Sequence, residues 1–128
     1  MTDPISDMLI RLKNAARAGH ETAALPYSQL KHEIAKVLER AGILSAIIRK
    51  GKKEKRVLEV AFVVSDRGPA IHGVKLLSKP SRRLYAGYRT FRKSPRGGVI
   101  ILSTPKGVMS TEEAKKEKVG GQFIAEVW

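Results

Sequence analysis

The chain contains no cysteine, an absence that removes disulfides, thiolate nucleophiles and cysteine-based metal sites together. Histidine is scarce too, with His20, His32 and His72 the only three. His32-Glu33 lacks the second histidine four residues on that a zinc-binding helix needs, so no metal site is expected. No apolar run is long enough to span a membrane, and no basic amphipathic helix with bulky apolar anchors offers itself to a membrane surface. Residues 1 to 12 lack the basic start and long apolar stretch of a secretory signal, which makes a cytoplasmic location the expectation. Gly51-Lys52 has no upstream glycine at phosphate-loop spacing, and Gly97-Gly98 opens no helix. Ser103 sits between Leu102 and Thr104 and so lacks the flanking glycines of a nucleophile elbow. No catalytic residue, cofactor or small-molecule substrate is expected, and the chain reads as a non-enzyme.

Acidic side chains are also few, 12 against 25 Lys and Arg, for a formal net charge of +13. The excess is local. Residues 1 to 48 hold 6 basic and 5 acidic side chains, residues 49 to 98 hold 15 and 3, and residues 99 to 128 hold 4 of each. Between Leu76 and Gly98 there is no acid, while Lys79, Arg82, Arg83, Arg89, Arg92, Lys93 and Arg96 alternate with Tyr85, Tyr88 and Phe91. Charge of one sign at this density repels itself unless a polyanion relieves it, and cations mixed with aromatics suit phosphates and exposed bases. The competing reading is a solvated basic face that aids solubility. The expected partner is nucleic acid.

Length and composition bound the fold. With 128 residues, 42% of them hydrophobic, the chain can bury a core but hardly two independent ones. Asp3-Pro4 starts a helix whose apolar positions are Ile5, Met8, Leu9, Leu12 and Ala16, with Gly19 as the stop and Arg11 and Asn14 on the polar face. A short extended piece, residues 22 to 25, ends at Pro26. Ser28 then caps a second helix that Gly42 ends. Residues 43 to 48 and 57 to 64 are rich in β-branched residues and flank a basic tip, the pattern of a hairpin. Ser65-Asp66-Arg67-Gly68-Pro69 breaks the pattern and marks the expected boundary between a lobe at 1–64 and another at 65–128, the two docked together. In the second lobe, strands are expected over residues 70 to 77, near Leu84 and Tyr85, over 99 to 102 and over 122 to 128. Residues 89 to 98 read as a loop with one helical turn. Ser110 and Glu113 stand at capping-box spacing for a short helix running to about residue 118 and stopped by Gly120-Gly121. The fold class is therefore α+β: two helices on a three-stranded sheet, then a mainly β lobe with one short helix.

The loop over residues 103 to 107, Ser103-Thr104-Pro105-Lys106-Gly107, offers two hydroxyls, a stiff proline, a lysine and a glycine at a strand end. That set suits base edges, the 2′-OH and phosphate oxygens, and equally an ordinary turn.

Ser103-Thr104-Pro105-Lys106-Gly107-Val108-Met109, Glu113-Ala114, Val119-Gly120-Gly121 and Glu126-Val127-Trp128 follow in order, preceded by Asp3-Pro4-Ile5, Asp7-Met8-Leu9, Leu25-Pro26 and Ser78-Lys79-Pro80. Together they resemble the bacterial family of small-subunit ribosomal protein eight over essentially the whole chain. The resemblance implies a two-lobed protein that binds the central domain of small-subunit ribosomal RNA, grips an irregular stem, meets neighbouring ribosomal proteins and, in some members, represses its own messenger RNA. It places Ser103, Thr104, Lys106, Gly107, Gly120, Gly121 and Glu126 at or near the RNA with Tyr85 beside them, and Thr2, Arg11 and Asn14 at a second contact. The charge reading adds Arg83, Arg89 and Arg92. Pro105 stands where the family commonly has Ser, Ser81 where it has Gly, Gln122 where it has Glu, and Ala125 where it often has Cys. The alternative from composition is a general nucleic-acid binder without stem specificity.

Overall fold

The computed structural model describes residues 4–52, 54–66, 68–78 and 83–128. Its contacts cluster into two units, Met1–His72 and Gly73–Trp128.

In the first unit, helix α1 (Pro4–Arg17) buries Met8, Leu9, Leu12 and Ala16, the stripe its spacing predicts. Gly19 takes φ +84°, and the N–H groups of Gly19 and His20 donate to Ala16 and Ala15, closing the helix end. Strand β1 (Thr22–Pro26) leads to Ser28, whose hydroxyl accepts from the Lys31 N–H at 3.2 Å and caps α2 (Gln29–Arg40). Strands β2 (Leu44–Lys50) and β3 (Val57–Phe62) pair antiparallel, and the sheet order is β1-β3-β2. Leu25 opposite Leu58, together with Val60, Ile34 and Leu38, belongs to the buried core. The expected arrangement of two helices on three strands is what forms. The short strands β4 (Val64–Ser65) and β5 (Gly68–Pro69) add a two-rung ladder within the segment that reads as a break.

The second unit holds β6 (Val74–Leu76), β7 (Tyr85–Ala86), a 3-10 turn at Tyr88–Thr90, β8 (Val99–Thr104), β9 (Gly107–Ser110), α3 (Thr111–Glu117) and β10 (Gly121–Val127). The sheet order is β6-β10-β8-β9, with β7 also pairing β10. The strand expected over 70 to 77 is only three residues long, since its partner β10 pairs with it from Ala125 to Val127 and the ladder ends one step beyond, where Gly73 and Trp128 exchange two backbone hydrogen bonds at the end of the chain. Residues 107 to 110 form a strand that their composition does not announce, so the expected loop is the tip of the β8–β9 hairpin. Leu102, Met109, Phe91 and Ala114 make a core under α3 and the 3-10 turn, with Phe91 and Phe123 edge to face at 6.1 Å between ring centroids. The capping box forms as its spacing predicts, the Glu113 N–H donating to Ser110 Oγ at 3.2 Å and the Ser110 N–H to Glu113 Oε1 at 3.1 Å. Helix α3 ends one turn before the Gly120-Gly121 stop, with Lys118 in the left-handed conformation.

Candidate nucleic-acid interface

Strand register decides which side chains share a face, because directly opposed residues point to the same side of a sheet. Gln122 on β10 opposes Tyr85 on β7 and Ser103 on β8, and Ser103 in turn opposes Val108 on β9. Tyr85, Gln122 and Ser103 therefore stand in one row across three strands, about 5 Å apart per strand. Tyr85 is 69% exposed, and Ser103 is exposed too. No hydrogen bond holds the Ser103 hydroxyl among the described residues. The next residues, Leu102 and Phe123, face the opposite side and carry the core. An aromatic face, an amide and a free hydroxyl in one row can stack a splayed base and read its edge or a 2′-OH. Gln122 is the member of this row that sequence reasoning missed as a site residue. Its strand and the strands beside it were expected, but not the register that aligns Gln122 with Tyr85 and Ser103.

Glycines make the row possible. A Cβ on Gly121 would stand 2.3 Å from the Ser103 carbonyl oxygen, and one on Gly120 would stand 2.6 Å from that of Ala86. Both glycines thus allow β10 to close against its neighbours where Gln122 emerges.

At the hairpin tip the Thr104 hydroxyl donates to the Gly107 carbonyl at 2.8 Å and accepts from the Lys106 N–H at 3.1 Å. Its proton is committed to the turn, and Gly107 takes φ +118°, a backbone region that side chains rarely enter. Lys106 is exposed and pairs with Glu117 at 3.3 Å across solvent, a weak bond that a phosphate could replace.

Arg83, Arg89 and Arg92 are exposed. Arg89 lies 5.7 Å from the Tyr88 ring centroid, and Arg92 has no carboxylate partner among the described residues. Glu126 is placed differently. It is 3% exposed, and its carboxylate accepts from Arg96 Nη1 at 2.9 Å and from Ser94 Oγ. A bulge between Phe123 and Ala125 slips the register by one residue, which turns Glu126 to the face of Ile100 rather than that of Gln122.

Of the second contact, Thr2 lies outside the described residues. Arg11 and Asn14 are exposed on α1 and line a shallow groove of about 460 Å³ with Asp7, Ile10 and His20. Arg11 is 3.6 Å from Asp7. The first unit also carries a cation cluster that sequence reasoning did not assemble: Arg49 and Arg56 lie 5.4 and 5.8 Å from the Tyr27 ring centroid. The three residues come from separate segments, and only the β2–β3 pairing brings the two arginines together.

Among the described residues no group of three or more His, Cys, Asp or Glu side chains could hold a metal ion, and no helix is long and apolar enough to cross a membrane.

The sequence model of a family described as Ribosomal protein S8 matches residues 3–128. The chain is 40% identical over 129 residues to the small ribosomal subunit protein uS8 of Mycoplasmopsis agalactiae, covering 100% of this chain and 98% of that one. It is 43% identical over 132 residues to the protein of the same name from Chloroflexus aurantiacus, with 100% and 98% covered. The Thermus thermophilus counterpart is 41% identical over 137 residues, with 100% and 99% covered.

Proposed function

The chain belongs to the ribosomal protein S8 family, and on that premise we propose that it grips an irregular stem in the central domain of small-subunit ribosomal RNA and helps that RNA fold. As a family member it is a structural, ribosomal RNA-binding component of the small ribosomal subunit. The cytoplasm is its site of action, and other small-subunit proteins are its neighbours there. A messenger RNA that presents the same irregular stem would be bound in the same way, which gives a route to repression of its own message.

The observation that carries the reading is the row of Tyr85, Gln122 and Ser103 across three strands, with Tyr85 and Ser103 exposed. Regular A-form RNA has a major groove too deep and narrow for side chains, so discrimination must come from bases made accessible in the shallow minor groove or in an internal loop. A row of stacking and hydrogen-bonding groups suits such bases. The basic segment around it supplies phosphate contacts, each steepening log K against log salt by about 0.7 to 0.9. The second reading, a general nucleic-acid binder, draws only on the charge. Gel-shift competition separates the two. The stem reading expects an irregular RNA stem to displace labelled stem at concentrations where duplex DNA does not, and equal competition by DNA would leave only the general reading.

A further inference from the structure

Glu126 is a carboxylate in the interior of the second unit, beside Ala125 and Val127 on β10. Burying a charge is costly unless partners satisfy it, and here both oxygens are used. Oε1 accepts from Arg96 at 2.9 Å, and Oε2 accepts from the Ser94 hydroxyl. Ser94 Oγ also accepts from the Gly98 N–H at 3.1 Å, while the Gly97 N–H donates to the Ser94 carbonyl at 3.1 Å. One serine thus closes the 94–98 loop on itself and fastens it to β10. Arg96 reinforces the fastening, its guanidinium 4.4 Å from the Trp128 ring centroid. Gly98 has no space for a side chain, since a Cβ would stand 2.0 Å from the Val127 carbonyl oxygen. At the other end of the segment Phe91 is buried in the core.

Arg92 and Lys93 lie between these two anchors. Both are exposed and neither has a carboxylate partner among the described residues, whereas the charge of Arg96 is already neutralised by Glu126. We infer that Glu126 is a positioning residue: through Ser94 and Arg96 it holds Arg92 and Lys93 as a preformed grip for the RNA phosphodiester backbone, and does not itself meet the RNA. The advantage is entropic, because a loop already fixed in its bound form loses little freedom on binding. The inference rests on the reading that this basic segment faces RNA, but it concerns the backbone and not the stem's irregularity.

The test uses the full chain and a plain RNA duplex without internal loops, with binding followed by fluorescence anisotropy over a salt series. Ser94→Ala is expected to weaken binding about tenfold and to lower the salt slope by up to about 1.8, the share of two phosphate contacts. Ser94→Thr, which keeps the hydroxyl, is expected to restore both. Combined Arg92→Ala and Lys93→Ala changes, at two exposed positions that leave the core intact, should produce the same loss, and adding Ser94→Ala to them should change nothing more. A serine effect that persists undiminished in the doubly substituted background, or a doubly substituted protein with an unchanged salt slope, would overturn the inference. Because the probe has no irregular stem, failure to discriminate stems would leave this result untouched.

Discussion

Gly121 lies directly against Ser103: a Cβ on the glycine would meet the serine carbonyl oxygen at 2.3 Å and Thr104 Cγ2 at 3.0 Å. The contact is backbone to backbone, so no side chain can swing aside to relieve it. Gly121→Ala is therefore expected to part β10 from β8 beside the rung that carries Gln122 and Ser103, and to destabilise the protein by about 1–3 kcal/mol. Denaturant unfolding checks this, and an unchanged midpoint would show that the strands separate there at no cost.

Lys118 ends α3 with φ 56° and ψ 42°, and the Val119 N–H donates to Ala114 at 3.0 Å across it. A side chain in this conformation strains against its own backbone, whereas glycine does not. Lys118→Gly should raise stability by about 1 kcal/mol, read as a higher unfolding midpoint. A lower midpoint would mean that the exposed lysine holds the turn in some other way.

His32 has its pKa lowered from 6.5, first by burial, then by Lys36 and Arg49, with Glu33 opposing. Its ring also meets the Tyr27 ring edge-on at 5.7 Å. With the folded pKa below the unfolded one, the folded state takes up fewer protons than the unfolded state as pH falls past 6.5. Stability should therefore drop with acidification in that window and be recovered as pH rises above it. His32→Gln should flatten this part of the stability-against-pH curve, and an equal slope in both proteins would contradict the assignment.

The helices were readable from the sequence because their signals are local. Ser28 with Gly42, and Ser110 with Glu113, specify ends through contacts a few residues apart, and the structure places hydrogen bonds at those points. What could not be read depends on pairing between distant segments. The β9 strand exists because residues 107 to 110 lie against β8, not because Gly107-Val108-Met109-Ser110 has a strand's composition. Gly120-Gly121 reads as a helix stop, yet the helix closes earlier on Lys118 and the glycines serve strand approach. Glu126 and Gln122 look equivalent under strict alternation. A one-residue bulge between them sends one into the interior and leaves the other beside Ser103, and nothing in residues 121 to 127 signals that slip. The same nonlocality hides the row itself, since Tyr85, Ser103 and Gln122 come from three strands far apart in sequence.

The central claim is that the exposed hydroxyl of Ser103 tells one fold of RNA from another while the arginines hold any backbone. The most direct measurement compares the affinities of the parent protein, Ser103→Ala and Arg92→Ala for an irregular stem and for a plain duplex of equal length at one salt concentration. Loss of a hydrogen bond to a base edge is expected to cost about 1–2 kcal/mol on the stem and almost nothing on the duplex, whereas Arg92→Ala should weaken both equally. If Ser103→Ala weakens both RNAs alike, or neither, the row on the sheet does not read the stem.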